Sequence, residues 1–397
     1  MNEIEKFVSE KNYSEAIQEC LRTSHNHLGI LLSHAVTSSL HRVVDQLQAN
    51  ISGIETEGKV VEETVNLLKK ENPPILSEDD ETSLPPLEEV PAPTLVTTDS
   101  SNSSKPIRVK LLCHFADSGY IRNLWNKMSQ GNYTWNNIQI VLDNDPDYFV
   151  VINAPPQNEN PDPAKTIVFR MEPYMDTKNK GLWGAYANPD PKKFFRVCSH
   201  DNDYNNNEWW LSKTYSELQT FEIKKTEDVL STVLSAKYSD PGHIKRIDFV
   251  KFMEKKGMPV HVYGDDKWGY KDFKGSLPSH EKDTAMFPYK YVFNCENNSI
   301  KNYYTEKLID GILAECLVFY SGCYNVRDFI DEKAFVYLEL SNFEEDYKKV
   351  KAAIESNLWE ERLPYIKKAK KKIMEYLQFY PRLERIINKT EGEEYKS

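Results

Sequence analysis

YKYVFNCENNSIKNYYTEK, residues 289–307, is the stretch whose reading decides the fold. It opens on YKYVFN, a run rich in aromatic side chains that predicts a strand. A polar loop, residues 296–302, leads to a helix from about Thr305 with an apolar stripe at Leu308, Ile309, Ile312, Leu313 and Cys316. The next strand, LVFY, follows at once at residues 317–320. Strand, loop, helix and strand in this order make one unit of a parallel sheet, and open α/β sheets bind ligands at the carboxyl ends of their strands. A helix N-terminus at that edge offers free N–H groups and a positive dipole end to phosphate. Lys307 adds a full charge near a diphosphate, and Glu306 is placed to accept hydrogen bonds from ribose hydroxyls. Thr305, Glu306 and Lys307 also read as a capped, solvated first turn, so local physics leaves both readings open.

The same grammar continues upstream. Residues 107–115 (IRVKLLCHF), 138–142, 148–153 and 167–171 read as strands, with a helix over 121–128. A second block has a strand near 232–237, a helix opened by Ser239-Asp240-Pro241 and running to about Lys255, and a strand at 260–264 (VHVYG). Two successive β-α blocks predict an α/β protein with two Rossmann-like domains facing a cleft. Neither GxGxxG nor GxxxxGK(S/T) occurs, which disfavours ordinary NAD and P-loop sites and leaves nucleotide-sugar transfer as an attractive class.

Outside these blocks the composition changes. Residues 1–70 have apolar positions at helix spacing, then a coiled-coil-like seam through Leu40, Val44, Leu47, Ile51 and Ile54, and predict a helical N-terminal module for docking or oligomerisation. Residues 71–106, rich in Pro, Ser, Thr and acid and without an aromatic residue, read as a disordered acidic linker. Residues 107–225 and 226–345 are then the two Rossmann-like domains, and 346–397 are C-terminal helices packing back across the pair. In that last segment Lys367, Lys368, Lys370, Lys371 and Lys372 flank a stripe at Ile366, Ala369, Ile373 and Leu377. They read as a solvated face, with peripheral contact to an anionic membrane surface as the alternative.

The net charge of -11 over 397 residues argues against nucleic acid as a partner, because phosphate attraction needs a basic surface. The six cysteines show no CxxC pair and no zinc spacing, and read as reduced, buried thiols of a cytosol-like compartment. The N-terminal MNEIEKFVSEKNYSEAI is charged throughout, unlike a secretory leader. No run approaches the ~18 apolar residues of a membrane span. The expectation is a cytoplasmic protein, soluble or peripherally membrane-associated.

Residues 289–307 resemble the donor-binding motif of the family 10 glycosyltransferases, the α-1,3/4-fucosyltransferases. The family pattern is an aromatic-rich strand, Glu-Asn-Ser, and then Tyr-x-Thr-Glu-Lys. Here Glu296-Asn297 supplies the first part and Tyr303-Tyr304-Thr305-Glu306-Lys307 the last, at matching spacing. Cys295 stands where an aromatic residue is usual and Asn298 where Ser is usual, which leaves fine specificity open. The resemblance covers roughly residues 107–340 and is strongest in the second block.

It implies a GT-B fold and an inverting transfer of fucose from GDP-fucose to a hydroxyl of a glycan acceptor. No cofactor is required, with room for a non-essential divalent cation. Residues 226–345 become the GDP-sugar-binding domain and 107–225 the acceptor-binding domain. Tyr303, Glu306 and Lys307 would contact the donor, with Glu296 and Asn297 in the same motif. Arg246, near the start of the second block's first helix, matches the family's diphosphate-binding arginine, and Lys245 is its nearest competitor. An arginine fork suits that task because it pairs bidentately with phosphate oxygens. Other readings are a transferase of the same fold using another GDP-sugar such as GDP-mannose, or a non-catalytic nucleotide-sugar or glycan-binding adaptor.

KTIVFRMEPY, residues 165–174, carries a strand straight into Glu172 and resembles the strand-end segment where the family places its catalytic carboxylate. Inverting sugar transfer needs a base on the acceptor hydroxyl, and a carboxylate raised by burial suits it. The alternative is a solvated strand-end acid. Asp143-Asn144-Asp145 and Asp201-Asn202-Asp203 match the DxD string of manganese-binding sugar transferases but read better as turns, so no metal site is assigned. His200 and His243 lack metal-ligand spacing, and Trp209-Trp210 reads either as a platform for an acceptor sugar or as cleft packing.

Overall fold

The computed structural model describes residues 105–172, 183–204, 208–392 and 395. The N-terminal module of residues 1–70, and the linker up to residue 104, lie outside the described residues. Two six-stranded sheets follow one another along the chain. The first contains β1 (Ile107–Cys113), β2 (Thr134–Trp135), β3 (Ile138–Val141), β4 (Tyr148–Ile152), β5 (Thr166–Arg170) and β6 (Arg196–Ser199), in the order β2-β3-β1-β4-β5-β6. All its pairings are parallel except β2 with β3. The second contains β7 (Glu227–Leu234), β8 (Val260–Gly264), β9 (Phe273–Gly275), β10 (Tyr289–Cys295), β11 (Leu317–Ser321) and β12 (Phe335–Tyr337), in the order β12-β11-β10-β7-β8-β9, parallel throughout. Every residue of β5 and β11 is buried, as a parallel sheet covered on both faces requires. These are the two doubly wound sheets of a GT-B fold.

The second sheet reverses its winding between β7 and β10. The chain runs outward from β7 to β8 and β9, then returns to place β10 on the other side of β7. The connections leaving β7 and β10 therefore diverge and open a crevice at their carboxyl ends, where such sheets bind ligands. From β7 the crevice wall is residues 235–240 and helix α1 (Pro241–Lys255). From β10 it is residues 296–305 and helix α2 (Glu306–Leu313). Proline in its first turn suits α1, since that position has no helical partner for an N–H.

One strand is displaced from its expected place. The sequence places it near 232–237, whereas β7 ends at Leu234. Its opening residues Glu227 and Asp228 are charged, Glu227 aligning with Tyr289 and Asp228 ion-pairing with Lys290, which hides the start from a hydrophobicity reading. The end is set by β8, where Leu234 aligns with Gly264. A Cβ on Gly264 would lie 2.2 Å from the Leu234 carbonyl oxygen, and its φ of +106° favours glycine.

Three C-terminal helices tie the sheets together. Helix α3 (Phe343–Glu355) and helix α4 (Leu358–Lys372) lie against the second domain, where Trp359 Nε1 donates to Glu315 O at 2.8 Å. A π turn (Ile373–Leu377) redirects the chain into helix α5 (Phe379–Asn388), which packs on the first domain. There Phe379 meets Trp125 at 4.6 Å between ring centroids, and Gln378 Nε2 donates to Met128 O. Ile366, Ala369, Ile373 and Leu377 are buried as their spacing predicts. The lysine cluster is smaller than it reads: Lys370 pairs with Glu315 at 2.8 Å, and Lys372 donates to Phe329 O. No helix among the described residues is long and apolar enough to cross a membrane. Cys113, Cys198, Cys295, Cys316 and Cys323 are free and buried, and Cys20 lies outside the described residues.

Candidate active site

Arg246 lies on the second turn of α1 and is 5% exposed. Its guanidinium spans the crevice. Nη1 donates to Cys295 O (3.3 Å) and Asn297 Oδ1 (3.2 Å), Nη2 donates to Ser235 Oγ (3.2 Å), and Nε has no partner. No carboxylate among the described residues lies within ion-pair distance of it. Burial accordingly lowers its pKa, partly offset by the more distant Glu296 and Glu306. A buried cation held only by neutral acceptors is a place for an anion. Lys245 sits half-buried beside it, close enough for its charge to act on Cys295.

The two walls of the crevice touch at Gly242, whose N–H donates to Asn297 O at 2.9 Å. A Cβ there would stand 1.8 Å from Glu296 O, so only glycine permits the contact. Glu296 itself is buried behind the site. Its carboxylate accepts from Thr305 N (2.8 Å), Thr305 Oγ1 (2.7 Å) and Tyr320 Oη (3.2 Å), with Lys307 Nζ at 3.7 Å. Burial raises its pKa against the pull of Lys307. Glu296 therefore organises the loop, while Glu306 and Lys307 face forward from it.

The free helix N-terminus inferred from sequence is not there. Thr305 caps α2 by accepting from Lys307 N and is itself held by Glu296. At α1, Asp240 and His243 close a capping box, and Gly242 N is spent on Asn297. Attraction for an anion thus falls on side chains. Lys307 Nζ lies 3.1 Å from Glu306 Oε1. Burial opposes its charge, but Glu306 and Glu296 outweigh that and raise its pKa. Burial likewise opposes the charge of Glu306, yet Lys307 and Lys282 hold its pKa well below the usual carboxylate range. Tyr303, 4% exposed, is pushed well up by burial and by the charges of Glu296, Glu172 and Glu306.

That last influence brings Glu172 into the site from the other sheet. It follows β5, and its backbone N–H and that of Met171 both donate to Asn153 Oδ1 (3.2 and 2.8 Å). The residue is exposed to solvent, and desolvation by the protein nearby raises its pKa. Lys307 and Lys237 of the opposite domain lower it, and Glu306 and Asp240 raise it. Arg246, Lys245, Glu296, Asn297, Tyr303, Glu306 and Lys307 thus lie along the walls of one crevice, and Glu172 of the other sheet is near enough for the charges of Lys307 and Glu306 to act on it.

His243, which lacks metal-ligand spacing and reads as a core or surface residue, takes a buried capping role. It is 3% exposed, with Nδ1 3.1 Å from Asp240 Oδ2. Burial and Arg246 lower its pKa. The signal was present: it stands three residues after Asp240, where a capping box places Glu or Gln. The DxD strings are ion-paired within the fold. Asp143 pairs with Arg108, Asp201 with Arg170 (2.6 Å), and Asp203 with Arg382 (2.9 Å). Among the described residues, no group of three or more His, Cys, Asp or Glu side chains is arranged to hold a metal ion. Trp209 is buried with Nε1 on Lys213 O, so it packs the fold. A cavity of about 760 Å³ lies elsewhere, between the domains and the C-terminal helices, and its Arg382, Arg196 and Lys372 are already spent on Asp203, Glu391 and Phe329 O.

Residues 223–393 match the family described as glycosyltransferase family 10 (fucosyltransferase), C-terminal part. The match spans the second sheet domain and helices α3, α4 and α5. The chain is accordingly a glycosyltransferase, and the match contains the whole crevice from Ser235 to Lys307. Among solved structures it is similar to an α1,3-fucosyltransferase with GDP, at 17% identity over 72% of this chain and 95% of that one, with a TM-score of 0.44. The same kind of enzyme with GDP-fucose gives 18%, 72%, 95% and 0.37. An α-glucosyltransferase in complex with UDP and a DNA 13-mer gives 7%, 73%, 100% and 0.47. A search of curated proteins finds no match.

Proposed function

We propose that the chain transfers fucose from GDP-fucose to a hydroxyl of a glycan acceptor with inversion at C1. The observation that carries this reading is the buried Arg246 guanidinium, without a carboxylate partner among the described residues and close enough to Lys307 for the two charges to act on one another. Arg246 and Lys307 bind the diphosphate, Glu306 and Tyr303 contact the nucleoside sugar, and Asn297 orients Arg246. Glu296 positions Thr305 and so the first turn of α2. The second sheet domain holds the donor and the first holds the acceptor.

In the reaction the acceptor oxygen forms a bond to fucose C1 as the bond from C1 to the β-phosphate oxygen breaks. The acceptor proton passes to Glu172, and the electron pair of the broken bond leaves with GDP. Positive charge develops on the sugar as in other glycosyl transfers. Charge growing on the diphosphate is met by Arg246 and Lys307, already oriented in a low-dielectric crevice.

The test is turnover and thermal stabilisation across GDP-fucose, GDP-mannose, UDP-sugars and free nucleotides. GDP-fucose turnover with stabilisation by GDP is expected. Preference for GDP-mannose would keep the site and change the sugar. Stabilisation without turnover would indicate a nucleotide-sugar adaptor, and preference for UDP-sugars would end the reading.

A further inference from the structure

Lys282 is a cation that no part of the reaction above uses. It precedes the short helix Asp283–Met286 and is 8% exposed. Its Nζ lies 2.9 Å from Asp310 Oδ2 and 3.3 Å from Glu306 Oε1, and 4.6 Å from the ring centroid of Trp210. Backbone N–H groups also join Lys282, Trp210 and Asp310. Lys282 N donates to Trp210 O at 2.8 Å, and Trp210 N donates to Asp310 Oδ1 at 2.7 Å. The next residue, Asp283, accepts from Ser212 N at 2.8 Å. The segment after β6 is thus fastened to helix α2 both directly, from Trp210 N to Asp310, and through one buried ammonium group that touches Asp310, Glu306 and Trp210.

Glu306 Oε1 is shared between two lysines, Lys307 at 3.1 Å and Lys282 at 3.3 Å. A donor that claims Glu306 alters how that oxygen divides between them. The ammonium group facing Trp210 then feels the change directly, since attraction to an aromatic face depends on the cation's position. We propose that Lys282 is a positioning residue that links occupancy of the donor site at Glu306 to the segment carrying Trp210. This rests on the donor reading above. It also separates the roles of the tryptophan pair: Trp209 is packing, and Trp210 is the element that responds to the donor.

The experiment is titration of the full-length protein with GDP, followed in parallel by calorimetry and by tryptophan emission. In the wild type, GDP binds and changes the emission, and Trp210→Phe binds GDP but loses the change. Lys282→Met binds GDP up to about tenfold more weakly, as expected for one lost charged contact, and also loses the emission change. Lys282→Arg restores the change at least in part, which a merely structural role would not explain. Should Lys282→Met not fold, Lys282→Gln, which keeps a hydrogen-bond donor without the charge, carries the same expectation. A wild-type emission response in the charge-free variants, or one surviving Trp210→Phe, overturns the proposal while leaving the donor site intact. No GDP binding by the wild type in calorimetry removes the donor reading and the proposal together.

Discussion

At the scale of single residues, the site sets the mutually paired Glu296, Glu306 and Lys307 beside Arg246, a buried cation held by neutral acceptors. Its forked contacts to Cys295 O, Asn297 Oδ1 and Ser235 Oγ fix a plane that lysine cannot reproduce. Arg246→Lys is therefore expected to weaken GDP binding about 10- to 100-fold, the worth of one charge-assisted hydrogen bond, as read by calorimetry. Glu172, as the proposed base, would act on the chemical step instead. Glu172→Gln is expected to lower kcat by roughly 10² to 10⁴ while leaving GDP affinity near wild type, and near-wild-type turnover would sink the assignment. The direction of its pKa sets the pH dependence. The base works deprotonated and its pKa is raised by burial, so kcat/KM should fall with decreasing pH on a limb above the ordinary carboxylate range. That limb should vanish in the Gln variant. Arg246, Glu306 and Lys307 were singled out by their resemblance to the family motif, since local spacing alone left Thr305-Glu306-Lys307 equally readable as a capped turn. Lys282 was not, because its partners Glu306, Asp310 and Trp210 are distant in sequence and its own surroundings read as loop.

At the scale of elements, β10 and the helix it feeds were readable from aromatic and apolar spacing alone. The role of their junction was not. A helix N-terminus in sequence looks like an anion site, but whether its N–H groups are free depends on side chains that arrive from elsewhere. Here Glu296 holds Thr305 while His243 and Asp240 close α1. Gly242 sits where these two arrangements meet. Its helix approaches Asn297 so closely that an added Cβ would overlap Glu296 O. Gly242→Ala should force α1 away from the 296–297 backbone and cost about 1–3 kcal/mol, seen as a lower melting temperature. It should also weaken GDP binding, because Arg246 rides on the same helix. A variant with lower stability but unchanged GDP affinity would show that the crevice tolerates the shift. Thr305→Ala makes a milder test of the other wall, with an expected loss of ~1 kcal/mol for a helix cap.

At the scale of the molecule, the two sheets are joined by more than the crevice. Asn302 Nδ2 reaches across to His200 O (2.9 Å), Tyr204 stacks on Tyr304 at 5.9 Å, and α5 returns from the donor domain to pack on the first sheet. The alternation of strands and helices announced two sheets, and the C-terminal apolar stripe announced a packed helix. Which domain the last helix covers could not be read, because Phe379 and Trp125 are linked only by the folded chain. Phe379 is fully buried against Trp125 and Phe169, whereas the crevice at Arg246 lies in the other domain. Phe379→Ala should cost about 3–5 kcal/mol through the cavity it leaves. Because the loss falls on the first domain, calorimetry should show its unfolding moving to lower temperature ahead of the donor domain. GDP should then raise only the later transition, since a ligand stabilises the unit that binds it. A single transition shifted downward as a whole, and still raised by GDP, would instead mean that the domains unfold as one unit through the Asn302, Tyr304 and α5 contacts.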